Sequence, residues 1–190
     1  MADVQDGNGS PAAADWSDEH RFAVVAAVPV VRDAVRVRAE RAKLPMSAEE
    51  FLAKSAMVVP GLGRAMDRGA VARGRRLGFR CGVGVDKSTD RELADPIGRV
   101  IADVLCSLAA HGQVVVSVEQ HDNGCTLKAD IPSDHKTFGG DLRVSIERNG
   151  SGGTSVHAEA EIPGQLIDWG KSKQTLADLM AEIGAPPAKG

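Results

Sequence analysis

From residue 113 onward, apolar side chains recur at every second position. The runs Gln113–His121, Cys125–Ile131, Asp141–Arg148 and Thr154–Ile162 therefore predict four consecutive strands. Earlier, "LGFRCGVGV" (77–85) alternates as well, setting Phe79, Cys81, Val83 and Val85 on one face and predicting a first strand. Between them the period changes. Ile97, Val100, Ile101, Val104, Leu105 and Leu108 fall at helical spacing, which predicts a helix over Leu93–Ala110 ended by Gly112. Leu176, Leu179, Met180 and Ile183 predict a final helix, stopped by Gly184 and the pair Pro186-Pro187.

The turns supply the registers. Asn123-Gly124 is the preferred dipeptide of a two-residue type I′ hairpin, which would pair Val118 with Ala129 and Val116 with Ile131, apolar with apolar. "NGSGG" (149–153) reads as a five-residue loop if Arg148 pairs with Thr154. It sets Val144 against Ala158, Leu142 against Ala160 and, on the other face, Arg143 against Glu159. A slip of one residue would turn either pair inside out, so agreement of faces constrains the register. The expected fold is α+β: an antiparallel sheet in the order β-α-β-β-β-β-α over residues 77–184, one face wet and the other covered by helices.

The N-terminal part reads differently. Residues 1–20 are acidic and rich in Ala, Asp, Gly and Ser, and are expected to form a disordered tail, as are residues 185–190. Residues 21–76 predict a mostly helical segment without a core of its own. Pro29 allows a strand before it or a helix kinked at it. Ser47 with Glu50 has the spacing of a capping box, and "PGLG" (60–63) breaks that helix.

Charge sharpens this division. The net charge is only −3, yet residues 32–80 hold twelve basic side chains against five acidic ones, the asymmetry of an interaction surface. Tyr is absent and aromatic side chains are sparse, which disfavours nucleic acid held by base stacking. Three widely spaced cysteines and an acidic start predict reduced thiols and a cytoplasmic location, and no apolar run approaches the length of a membrane span.

Motifs of catalysis or cofactor binding are weak. Gly170-Lys171-Ser172 ends like a phosphate loop, but the required earlier glycine falls on Gln165, and Leu166, Ile167 and Trp169 fill the interior. The expected reading is a strand ending at Pro163-Gly164, a helix capped by Asp168 or a neighbour, and Trp169 packed on the sheet edge. His121, Cys125, His135, His157, His111 and His20 form no close ligand pair, so no metal is expected. Asp130, Glu159, Glu161 and His157 fall on the polar strand face, where solvated charge suffices, and no nucleophile motif surrounds a cysteine. No catalytic residue and no cofactor are expected.

"LKADIPSD", "GGDLRVSIERNGSGGTSV" and "AEIPGQLIDWGKSKQTLADLMAEI" together resemble the helix-grip superfamily of Bet v 1-like, polyketide cyclase and lipid-transfer proteins (SRPBCC type), over residues 77–184. The resemblance implies a curved antiparallel sheet around the C-terminal helix with an apolar cavity between them. Such proteins usually have six or seven strands and two short helices after the first. Here the missing strands would have to lie in residues 21–31, or a second copy of the chain would close the cavity. Candidate cavity residues are Val116, Val118, Ala129, Val144, Ala158, Ala160, Leu176 and Met180. Small side chains at 129, 158 and 160 leave room for a ligand, and equally let a helix pack closely with none. The function these features suggest is a non-catalytic module for a small hydrophobic ligand or lipid, as monomer or homo-oligomer. The alternative is an interaction protein whose basic segment 30–76 engages a protein or nucleic acid.

Overall fold

A computed structural model describes residues 15–42, 84–132, 139–163 and 170–185. The expectations for residues 43–83, including the capping box and the alternation of Phe79, Cys81 and Val83, lie outside these residues, as does Trp169. The elements are a 3-10 turn (Trp16–Asp18), α1 (Phe22–Ala27), α2 (Pro29–Arg41), β1 (Gly84–Leu93), α3 (Ile97–Ala110), β2 (Val114–Gln120), β3 (Gly124–Ile131), β4 (Gly140–Arg148), β5 (Thr154–Pro163) and α4 (Lys171–Glu182). The five strands form one antiparallel sheet in the order β1-β5-β4-β3-β2. The α+β order read from the sequence is the order of the fold.

One face of the sheet is dry. α3 lies over β2 and β4, and α4 lies over β1 and β5. α1, α2 and the 3-10 turn cover the far side of α3, which explains why ten of its fourteen residues are buried. A helix buried on both sides must be apolar nearly all round, and IGRVIADVLCSLAA is. Phe22, Val25, Val31, Val35 and Ala39 of the N-terminal helices join the same core as Leu127, Leu142 and Ile146 of the sheet. Residues 22–41 are thus helical, and the strands that the helix-grip pattern would require within 21–31 are not there. Val28 is extended between α1 and α2, and Pro29 opens α2 at a position where its missing N–H costs nothing.

The predicted tail also ends earlier than expected. Asp15–His20 is built onto the fold: Asp15 Oδ1 accepts from Ser17 N–H (3.1 Å) and Oγ (2.6 Å), capping the turn. Trp16 packs against the core, and Arg148 of β4 binds Asp18 through the Asp18 carbonyl and an ion pair of 3.2 Å. Gln120 ties this segment to the sheet. Its Oε1 accepts from Phe22 N–H (3.0 Å), and its Nε2 donates to the His20 and Gly124 carbonyls (3.0 and 2.8 Å).

Three boundaries and one register differ from the sequence reading. β1 runs on to Leu93 and α3 starts at Ile97, because Pro96 holds its predecessor extended and occupies the N-cap. "DKSTDREL" is an edge strand whose charged side chains guard an open edge, and without an apolar face its alternation is invisible. α4 starts at Lys171 with Gly170 at its N-cap, φ +88° and no side-chain cap, where the sequence predicts a cap from Asp168 or a neighbour. The β4–β5 register is as predicted, including Arg148↔Thr154, Val144↔Ala158, Leu142↔Ala160 and Arg143↔Glu159. The β2–β3 register is not. Gln120 pairs with Cys125 and Val118 with Leu127, leaving a four-residue turn closed by His121 N–H on the Gly124 carbonyl (2.8 Å). A bulge at Val116 then brings Val115 opposite Ala129. Gly124 is not in the positive-φ conformation a type I′ turn demands. Its role is close approach, since a Cβ there would lie 2.0 Å from the Ile146 carbonyl oxygen of β4.

Candidate functional site

Two surfaces of the sheet bear on function. On the helix-covered face, Val118, Ala129, Val144, Ala158 and Ala160 come together as predicted, all buried. Ala129, Leu142 and Ala160 share one cross-strand row, and Leu127, Val144 and Ala158 the next. Leu176 of α4 is buried in the same core, and Met180 packs half-buried at its margin, where its carbonyl accepts from Arg91 of β1. Val116 does not belong to this set. The bulge turns it out to 42% exposure while Val115 takes the inward position at 1%.

α4 is held at both ends by polar contacts. Lys171 Nζ donates to the Pro132 carbonyl (2.6 Å) at the end of β3, and Gly184 N–H donates to Asp103 of α3 (3.2 Å). Between these ties it buries Ser172, Leu176 and Leu179. The lysine and serine of the phosphate-loop-like tail are therefore structural: the lysine spans from α4 to β3, and the serine lies inside the helix–sheet interface. Burial pushes the Asp103 carboxyl above its usual range despite the Gly184 bond.

The open face carries a cleft of about 340 Å3, lined by Lys87, Lys128, Arg143, Asp141, Glu159 and Glu161. Strand register orders these charges. Lys128 and Arg143 are paired neighbours on β3 and β4, and Asp141 and Glu161 are paired neighbours one step along on β4 and β5. Lys128 reaches Asp141 at 3.2 Å. The predicted Arg143–Glu159 opposition exists in register, yet the ion pair goes elsewhere. His157 Nε2 lies 3.2 Å from Glu159 Oε1, and its Nδ1 lies 2.6 Å from Asp90 of β1. These two bonds, Asp90 first, raise the imidazole pKa above its ordinary value. Among the described residues Arg143 has no ion-pair partner within 4 Å.

Two cysteines, Cys106 and Cys125, lie among the described residues. Burial pushes Cys106 up to about 11 and Cys125 up to about 12, which keeps both thiols protonated at neutral pH. Among the described residues no group of three or more His, Cys, Asp and Glu is placed to hold a metal ion, and none of their helices is long and apolar enough to cross a membrane. The sequence reading marked Glu159, Glu161, Asp130 and His157 as solvated charge. It missed the cleft because the β1 wall belongs to a strand without an apolar signature. The signal it did contain was the outward pair Lys128 and Arg143, two residues from Asp130 and Asp141.

The fold and site thus define an α+β protein with one helix-covered apolar face and one charged open face. Scans against protein-family models, curated proteins and solved structures each returned no match.

Proposed function

We propose that the chain is a non-catalytic binding module for a small apolar ligand, taken up between the sheet and α4. The observation that carries this is the row of side chains beneath α4. The two central inward residues of β5, Ala158 and Ala160, are the smallest apolar ones, flanked by Val156 and Ile162. α4 meets them with a single apolar stripe, Leu176 and Leu179, and a ligand taken up here would lie between that stripe and the two alanines. The likeness of residues 77–184 to helix-grip proteins supports the same place for a ligand. Ligand sites of this kind are concave, mostly apolar and few per protein.

Native mass spectrometry of protein purified from its own host tests the reading. The expected spectrum contains a mass above that of the chain, lost after organic extraction. Ala158→Leu fills the space under α4 and should remove the added mass while the chain stays folded. A bare chain mass from the native host, with no apolar compound in the extract, would refute the proposal.

A second reading rests on α2. Val30 and Val37, two helical turns apart, are 59% and 39% exposed and lie among the exposed Arg32, Arg36, Arg38 and Arg41. Apolar contact with arginine around it suits a protein partner. The same spectra decide it: a second copy or a co-purifying protein that is lost on Val30→Ser with Val37→Ser supports this surface.

A further inference from the structure

We propose that the cleft on the open face of the sheet binds a small zwitterion of the α-amino-acid type. This inference is independent of the interior site, which lies on the other face. Its basis is the balance and order of charge. The lining holds three cations, Lys87, Lys128 and Arg143, and three carboxylates, Asp141, Glu159 and Glu161, so the cleft is neutral in sum. A neutral sum gives no net attraction to a simple anion or a simple cation, and an apolar molecule would bury those charges without replacing their hydration.

The signs are not mixed evenly. Lys128, Arg143 and Glu159 occupy one cross-strand row, in which Glu159 is bound by His157, and Asp141 and Glu161 occupy the next, about 6.6 Å further along the strands. An α-amino acid carries its carboxylate and ammonium on one carbon, and with a hydrogen bond to each it spans the step from a cation of one row to a carboxylate of the next. Arg143 is the anchor. His157 has drawn Glu159 away, which leaves the guanidinium fork without an ion-pair partner among the described residues, facing the cleft beside Lys128. A ligand carboxylate can occupy that fork with two parallel hydrogen bonds. Glu161, opposite Asp141 on β5, then receives the ammonium. The volume of about 340 Å3 admits a free amino acid.

The test uses the full chain labelled with 15N and titrated in turn with L-glutamine, acetate and methylammonium. L-glutamine should shift backbone amides of β4 and β5 around Arg143 and Glu161 saturably at millimolar concentration, with acetate and methylammonium each weaker by about tenfold or more. Arg143→Gln and Glu161→Gln should each weaken L-glutamine by about tenfold, with thermal melts matching the parent because both side chains are exposed. Equal affinity for acetate would make this an anion site and overturn the proposal. So would L-glutamine binding that ignores Arg143→Gln, or the absence of saturable shifts. The ligand comparison on the unaltered chain decides the matter even if a variant misfolds.

Discussion

Gly98 poses a question of sign. It occupies the second position of α3, where replacing glycine with alanine ordinarily stabilises a helix by up to about 1 kcal/mol. Part of that gain comes from the unfolded chain, which loses conformational freedom. In this fold, however, a Cβ at 98 would lie 2.2 Å from the Trp16 carbonyl oxygen, 2.8 Å from that of Ser17 and 2.9 Å from that of Glu19. All three are backbone atoms of a turn pinned by the Asp15 cap, by Arg148 on Asp18 and by Gln120 on His20. None can swing aside as a side-chain tip would. Overpacking of this kind costs roughly 1–3 kcal/mol, and contacts this short belong at the upper end. Gly98→Ala should therefore destabilise the chain by about 1–2 kcal/mol net of the helix gain.

Urea denaturation of two backgrounds isolates the cause. In the full chain the midpoint should fall at constant slope. In a chain lacking residues 1–20 the obstructing carbonyls are gone, and the same substitution should raise the midpoint by up to about 1 kcal/mol equivalent. A stabilised full-length variant, or equal shifts in both backgrounds, would refute the docking of the Trp16 turn on α3.

Other expectations follow from the same contacts. Leu179 is 2% exposed beneath α4, so Leu179→Ala should cost roughly 2–5 kcal/mol in chemical denaturation; an unchanged midpoint would mean that α4 is not packed on the sheet. Lys171→Met keeps the aliphatic stem but loses the bond to the Pro132 carbonyl, and a loss of about 1 kcal/mol is expected where a free surface lysine would cost almost nothing. His157 has a raised pKa in the folded chain, so its bonds to Asp90 and Glu159 add stability that is fully present below the ordinary imidazole pKa and lost as pH rises through the folded one. The stability difference between wild type and His157→Gln should thus be largest in mild acid and vanish at alkaline pH; a difference independent of pH would exclude the imidazolium as its source.

The elements that were legible in the sequence are those where two independent constraints coincide. β4 and β5 alternate cleanly, and the five-residue loop between them allows one register in which Leu142, Val144, Ala158 and Ala160 all turn inward and Arg143 and Glu159 outward. β2 has no such coincidence. "VVVSV" offers Val115 and Val116 as equal candidates for the core, so the apolar pattern cannot choose between them, and the bulge between Val115 and Ser117 is what turns Val116 outward. β1 fails for a related reason: an edge strand protected by charge loses the very alternation by which strands are recognised. That loss reaches the open face. The expected Arg143–Glu159 pair was a correct register with a wrong partner, since His157 binds Glu159 through Nε2 while its Nδ1 is held by Asp90 of β1. Pairwise reading along two strands sees opposite charges and joins them. A third strand supplies Asp90 to His157, His157 takes Glu159 from within β5, and the guanidinium left over becomes the feature of the cleft best suited to meet something from outside the chain.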